Sequence, residues 1–310
     1  MPYTIAITGS TGLIGTCLWD QFSRGHKVIR VVRPQTHGVL KLNCIFWNPA
    51  RGVIEPEKFE GLDAVIHLAG ANIAAKRWTP QYRKAVLSSR VNTTRLLVDA
   101  FHKVNIPPRL FICASAVGIY GAQHDMSSCV DESVPADDRT FLARVCRQWE
   151  EEAARAREAG VRTVQMRFGA VLSGHGGMLK RLLPIFKMGL GGPAGSGRQP
   201  MSWVALEEIP RIVEFLISHP HLNGPVNCVS PQPVTNAEFS RILARVLQKP
   251  CALRLPGFVL RALYGQMAQE LILTGQCVRP EALLSAVYAF RYPHLDTALD
   301  HELHRQGGRC

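Results

Sequence analysis

The chain has 310 residues, 46% of them hydrophobic and 19% charged, which excludes an intrinsically disordered chain and supplies a core for one large domain with or without a smaller appendage. No apolar run reaches membrane-span length, and the nine cysteines include no Cys-x-x-Cys pair, so neither a membrane partner nor a metal site is expected. The net charge of +12 is spread along the chain with no block of like charge and no aromatic–basic stacking pattern; it is read as a basic enzyme with an anionic ligand and no nucleic-acid partner.

The segment Met1-Pro2-Tyr3-Thr4-Ile5-Ala6-Ile7-Thr8 shows no basic, apolar or cleavage region. No signal peptide is expected, and the chain is read as cytoplasmic, with free and mostly buried thiols. Residues 3–8 alternate as a strand and run into a glycine-rich turn, after which Leu13, Ile14, Cys17, Leu18 and Phe22 recur at helical spacing over 13–24. Further strands are predicted at 27–32, 63–70, 109–114, 161–167 and 225–229. Thr79 and Pro80 form an N-cap and first-turn proline that open a helix to about Lys103, and further helices are predicted near 138–159 and over 209–218. Strands alternating with helices imply parallel pairing, hence an α/β fold with a Rossmann-type doubly wound sheet. The glycine-rich stretch 169–197 is too long for a turn; it can hold a helix over 178–188 and reads as a lid or substrate wall. Thr235-Asn236-Ala237-Glu238 is a capping box that opens a leucine-rich helical stretch to about Gly265. The expected organisation is a Rossmann domain over 1–230, including the glycine-rich loop, and a small, mostly helical C-terminal domain over 231–310.

The strongest local signal is Gly9-Ser10-Thr11-Gly12-Leu13-Ile14-Gly15, directly after a strand and before a helix. Gly9 permits the tight turn, Gly12 lets backbone approach a pyrophosphate, and Gly15 lets helix and strand pack closely. The helix N-terminus then offers free N–H groups and a positive dipole end to the phosphates. The alternative is a structural glycine turn, and the strand–turn–helix context weighs against it. The second strand ends in Val32-Arg33-Pro34. An acid at its end would suit the ribose of NAD; Arg33 suits the 2′-phosphate of NADP, unless it is an ordinary solvated arginine.

The glycine spacing, His67-Leu68-Ala69-Gly70 and Ser115-Ala116-Val117-Gly118-Ile119-Tyr120-Gly121 resemble the extended short-chain dehydrogenase/reductase superfamily. Arg77-Trp78-Thr79, Ser89-Arg90, Trp149-Glu150, Gly189-Leu190-Gly191-Gly192-Pro193 and Val234-Thr235-Asn236 narrow the resemblance to its "epimerase family" branch, nucleoside-diphosphate-sugar epimerase-like with a C-terminal domain of unknown function. The resemblance implies a set of cofactor contacts, with Leu68, Ala69 and Gly70 lining the path from adenine to nicotinamide and Ala170 beyond the strand that closes over the nicotinamide. It implies that Arg90 either reaches the cofactor or braces the neighbouring loop; a plain surface arginine is the other reading. Ser115 and Tyr120 are the candidate catalytic hydroxyls, although a structural role for Tyr120 in its Tyr-Gly turn is the stronger reading. A homodimer is compatible with the superfamily.

The superfamily's chemistry uses a Tyr-x-x-x-Lys pair on the helix after Ser115, in which lysine lowers the tyrosine pKa and tyrosine moves a proton. Aligned on the opening Thr140-Phe141-Leu142-Ala143-Arg144, threonine and arginine stand in those places. Ala205 likewise stands in a stretch where relatives carry histidine and aspartates. Two functions follow: an NADP(H)-binding oxidoreductase or epimerase-like enzyme acting on an unknown small molecule, or a non-catalytic NADP(H)-sensing regulator linked to division.

Overall fold

The computed structural model describes residues 2–34 and 43–304. In chain order the sheet-forming half runs β1 (Thr4–Thr8), α1 (Leu13–Phe22), β2 (Lys27–Val32), β3 (Cys44–Asn48), β4 (Val53–Ile54), β5 (Ala64–His67), α2 (Pro80–Phe101), β6 (Leu110–Ala116), α3 (Phe141–Ala154) and β7 (Arg162–Phe168). The remainder contributes β8 (Ala170–Leu172), α4 (Gly177–Lys187), β9 (Pro200–Met201), β10 (Trp203–Ala205), α5 (Glu208–Ser218), β11 (Gly224–Cys228), β12 (Val234–Thr235), α6 (Asn236–Val246), α7 (Gly257–Tyr264), α8 (Gln266–Leu271), α9 (Glu281–Ser285) and α10 (Leu295–His304).

Eight strands form one sheet in the order β11-β7-β6-β5-β1-β2-β3-β4. All pairs are parallel except β3–β4, an antiparallel hairpin at the edge. The chain leaves β1 towards β2 in one direction and later returns to β5 on the other side. The strand order therefore reverses beside β1, and a crevice opens there at the carboxyl ends of the strands. The expected strands are present; β3 and β4 were not expected from the sequence. Central strands buried on both faces read as continuous apolar runs: Ile5, Ala6, Ile7, Ala64, Val65 and Ile66 are all fully buried.

The helices follow their local chemistry. Thr79 caps α2, its hydroxyl accepting from the Tyr82 N–H, with Pro80 in the first turn. Thr235 caps α6 by accepting from the Glu238 N–H. The glycine-rich stretch holds α4, with Gly191, Gly192 and Gly195 beyond it, and the leucine-rich stretch divides into α6 and α7. Helices α4 and α6 belong to a second body built around Leu172, Trp203, Phe239, Leu243 and Leu299.

That body is fastened to the sheet by buried polar groups. Glu208, 1% exposed, accepts from the Tyr288 hydroxyl at 2.6 Å and from the Arg291 and Tyr292 backbone N–H groups, each at 2.9 Å. Glu270 of α8 accepts from the Phe141 and Leu142 N–H groups at the start of α3. Cys129 and Cys277 form a disulfide, which corrects the expectation of free thiols; Cys113, Cys146, Cys228 and Cys251 are free. No described helix is long and apolar enough to cross a membrane, and the described residues hold no cluster of three or more potential metal ligands.

Candidate active site

The glycine turn closes over the end of β1. Gly9 adopts φ +64°, and a Cβ there would lie 2.8 Å from the Leu68 carbonyl carbon; a Cβ at Gly15 would lie 2.2 Å from the Gly9 oxygen. Both positions thus need glycine for contacts within the protein. Gly12 differs: a Cβ there meets only the Gly9 oxygen, at 3.3 Å. Gly12 is also the N-cap of α1, with no side-chain cap and no acid in the first turn, so the first N–H groups of the helix are left for an external anion. Beside it the Ser10 hydroxyl is buried and has no partner. An open face at Gly12, uncapped amides and an orphaned hydroxyl are what a dinucleotide pyrophosphate would fill. Thr11 is exposed, while Leu13 and Ile14 are partly buried and begin the helix.

A small polar core holds this turn against the next strand. The Thr8 hydroxyl accepts from the Leu68 and Ala69 N–H groups at 3.1 and 3.2 Å. It also stands 2.7 Å from His67 Nδ1, while His67 Nε2 is 3.3 Å from the Thr93 hydroxyl of α2. Burial, reinforced by the nearby Arg90 charge, pushes the His67 pKa down to about 3, so its ring is neutral. Two accepted N–H bonds leave Thr8 to donate its proton to Nδ1, which places the ring proton on Nε2, facing Thr93. His67 therefore sets the loop Leu68-Ala69-Gly70, and the sequence reading missed it as a functional support. An isolated histidine in a buried strand, between two threonines that only the fold brings to it, gives no local signal.

Arg90 lies under that loop. A Cβ at Gly70 would meet its guanidinium carbon at 3.3 Å. The guanidinium stacks over Trp149 at 5.1 Å and gives one hydrogen bond, from Nη1 to the Val86 carbonyl at 3.1 Å. Burial lowers its pKa, and no carboxylate is among the charges acting on it. A half-buried cation without an anion, at the lip of the crevice, fits an anionic or hydroxyl-rich ligand better than it fits a surface role.

On the far side of the crevice Ser115, 3% exposed, ends β6. Its hydroxyl donates to Glu150 Oε1 at 2.6 Å. Glu150 is held by Arg167 in a two-pronged pair, Nε to Oε1 at 2.9 Å and Nη2 to Oε2 at 2.8 Å. Arg167 Nη1 donates to the Tyr120 hydroxyl at 2.7 Å, and that hydroxyl donates to Asn227 Oδ1 at 2.8 Å. Burial raises the Tyr120 pKa. Its proton is engaged by Asn227, so its place in the structure is that of a brace for Arg167, a role beyond that of the aromatic in a Tyr-Gly turn. Ala170 sits in β8, its N–H donating to the Ser202 carbonyl. Arg33 is exposed at the end of β2, next to residues outside those described.

The alignment on Thr140 and Arg144 needs correction. Thr140 is the N-cap of α3, its hydroxyl accepting from the Ala143 N–H. Arg144 is turned to the surface and donates to the Asp138 carbonyl at 2.9 Å. The face of α3 towards Ser115 is instead the stripe Leu142, Cys146 and Glu150, four residues apart. A Cβ at Gly118 would meet Leu142 Cβ at 3.3 Å, and the fully buried Cys146 thiol neighbours the Ser115 hydroxyl. Burial, with Glu150 adding to it, pushes the Cys146 thiol up to about 11. Leucine and cysteine thus occupy the spacing at which the superfamily carries tyrosine and lysine. The pair is still missing, but at positions two residues further along.

The comparisons with known proteins agree with this geometry. Residues 5–228 match the model of the NAD dependent epimerase/dehydratase family, and residues 255–302 match a domain of unknown function, DUF1731. The chain belongs to the NAD dependent epimerase/dehydratase family. It is 40% identical over 304 residues to the epimerase family protein MT2273 of Mycobacterium tuberculosis, spanning 98% of each chain. The crystal structure of human epimerase family protein SDR39U1 with NADPH superposes with a TM-score of 0.86 at 32% identity, covering 98% of this chain and 100% of that one. A nucleoside-diphosphate sugar epimerase from Corynebacterium glutamicum superposes with a TM-score of 0.78 at 34% identity, covering 98% of this chain and 58% of the other. The Leu142–Cys146–Glu150 stripe departs from the Tyr-x-x-x-Lys arrangement of the superfamily.

Proposed function

We propose that this chain binds NADP(H) across the β1–β5 crevice and acts as an oxidoreductase or epimerase-like enzyme on a small molecule that presents a hydroxyl to Ser115. The observation that carries the reading is the glycine turn, where an open Gly12, uncapped α1 amides and the unpartnered Ser10 hydroxyl form an anion cradle. The NADPH in the human relative's structure supports the choice of cofactor. The turn would hold the pyrophosphate, Arg33 the 2′-phosphate, Leu68 to Gly70 the path between, and Arg90 the nicotinamide end. The bound nicotinamide supplies or accepts the hydride.

Ser115 is a positioning hydroxyl. The Glu150 carboxylate, held by Arg167, is an acceptor, so Ser115 donates its proton to it and can only accept from a substrate. A second reading, a non-catalytic NADP(H) sensor, draws support from Leu142 and Cys146 standing where an acid–base pair would act.

Titration of the purified protein with NADPH and NADH, followed by NADPH turnover with carbonyls and NADP turnover with alcohols, separates these readings. Binding of NADPH in preference to NADH is expected, with Arg33→Ala weakening NADPH about 10- to 100-fold and NADH little. Equal loss for both would remove Arg33 from phosphate recognition, and tight NADPH binding without any turnover would favour the sensor.

A further inference from the structure

The exposed apolar surface of this molecule is concentrated in one place. Of the twelve large apolar side chains exposed among the described residues, nine lie within 185–190 and 253–271. Phe258 is 69% exposed, Met188 64% and Leu263 58%. The two segments run side by side. The Leu255 N–H donates to the Pro193 carbonyl at 2.9 Å and the Gly195 N–H to the Leu255 carbonyl at 2.8 Å. A Cβ at Gly189 would touch the Pro250 ring at 3.3 Å, and one at Gly192 would overlap the Leu253 carbonyl. Met188, Leu190, Leu253, Leu255 and Phe258 therefore belong to one contiguous patch, continued by Leu263 on α7. A patch of this kind marks an interaction surface rather than scattered surface hydrophobes.

Its charge selects the partner. No acidic residue occurs between Glu158 and Glu207 or between Glu238 and Glu270, the stretches that build this face. Lys187, Lys249, Arg254 and Arg261 are all exposed there. Two copies meeting through the same face would set cation against cation, which disfavours a symmetric dimer here. Leucine, methionine and phenylalanine in a cationic rim suit neither the phosphates nor the bases of nucleic acid, whose recognition rests on cations and stacked aromatics. They suit an anionic bilayer, where apolar side chains enter the headgroup boundary, cations meet the lipid charge, and no spanning helix is needed.

We propose that the α4–α7 face is a peripheral docking surface for anionic membranes. The patch takes the carboxyl end of α4, whereas the amino end, at Gly176, packs on Leu13 of the glycine turn; this part of the glycine-rich stretch is thereby assigned to a bilayer and not to a substrate wall. The expectation of no membrane partner rested on the absence of a spanning segment, which a face lying on a bilayer does not require.

The test is co-sedimentation of the full-length protein with phosphatidylcholine vesicles, with and without phosphatidylglycerol. Binding is expected only with phosphatidylglycerol, weakening as salt rises. Arg254→Glu with Arg261→Glu should reduce partitioning at least about 25-fold, taking roughly fivefold per cation removed. Phe258→Asp with Leu255→Asp should abolish it. NADPH affinity and melting temperature serve as the check that these surface variants fold. Arg109→Glu, at the start of β6 and away from this face, should bind as the unaltered protein does. Failure to bind phosphatidylglycerol vesicles at low salt would overturn the proposal, as would binding insensitive to the four face substitutions. Self-association lost in the face variants, without vesicle binding, would overturn it in favour of a contact between copies.

Discussion

A methyl group added at Gly12 would meet one protein atom, the Gly9 carbonyl oxygen, at 3.3 Å. The backbone there is at φ −78° and ψ 174°, open to any residue, so Gly12→Ala introduces no backbone strain. Its cost to folding is that of exchanging a tolerated N-cap for a poor one, about 1 kcal/mol, or a melting shift of roughly 2–4 °C. The same methyl occupies the space in front of the first α1 amides. Loss of one charged hydrogen bond to a phosphate costs about 1.5–3 kcal/mol, so NADPH affinity should fall about 10- to 150-fold.

Gly15→Ala is the contrast. Its Cβ would sit 2.2 Å from the Gly9 oxygen and 2.8 Å from Ser10 Cα, backbone atoms that no rotamer change can move. Overpacking of this kind costs about 3 kcal/mol or more, so thermal stability and NADPH affinity should fall together. Isothermal titration with NADPH beside thermal melts reads both quantities. A folded Gly12→Ala protein that binds NADPH as well as the unaltered chain would show that the turn is not the pyrophosphate cradle, and the proposed function would lose its foundation.

Two further substitutions probe the supports. The His67 pKa is depressed from 6.5 to about 3, so its contribution to stability is fully present above about pH 6.5 and is lost as pH falls towards 3. Urea unfolding should show the unaltered protein losing up to about 1.4 kcal/mol per pH unit more than His67→Gln below pH 6.5; parallel profiles would mean the ring is not held neutral. Thr140→Ala should cost about 1 kcal/mol as the loss of an N-cap and leave NADPH affinity unchanged. A selective loss of turnover in that variant would reinstate Thr140 in the active site.

What the sequence made legible was what is local. The glycine turn, the caps at Thr79 and Thr235, and the strand pattern each announce themselves within a few residues, because turn sterics and helix capping are short-range physics. Edge strands β3 and β4 did not: Cys44–Asn48 is short, partly exposed, and gains its strand conformation from pairing with β2. The register of α3 failed for a similar reason. Counting Thr140 and Arg144 as the missing pair took the helix to begin earlier than it does. The threonine is its cap, and a two-residue offset turns the side chains counted by roughly 200° around the axis, towards solvent. The polar chain Ser115–Glu150–Arg167–Tyr120–Asn227 joins five residues spread over more than a hundred positions, and only the packing of α3 on β6 and β7, with β11 paired to β7, brings them into line.

That chain also determines what the crevice can hold. Reduction of a carbonyl leaves charge on an oxygen that a donor must meet as it forms. Around Ser115 the protons are engaged elsewhere: Ser115 donates to Glu150, and Tyr120 donates to Asn227. The Cys146 thiol, with its pKa pushed up to about 11, is buried against the Ser115 hydroxyl. Arg90, which acts on the same cysteine, carries a charge with no carboxylate beside it and does not release a proton near neutral pH. A substrate alcohol meets these constraints where a carbonyl does not. Its own proton can be donated to the free lone pair of Ser115, which fixes the alcohol oxygen beside that hydroxyl. Within the proposed function, the arrangement therefore favours an alcohol over a carbonyl as the group bound at Ser115, and it offers no acid–base group to hydride transfer in either direction, because both directions share one transition state.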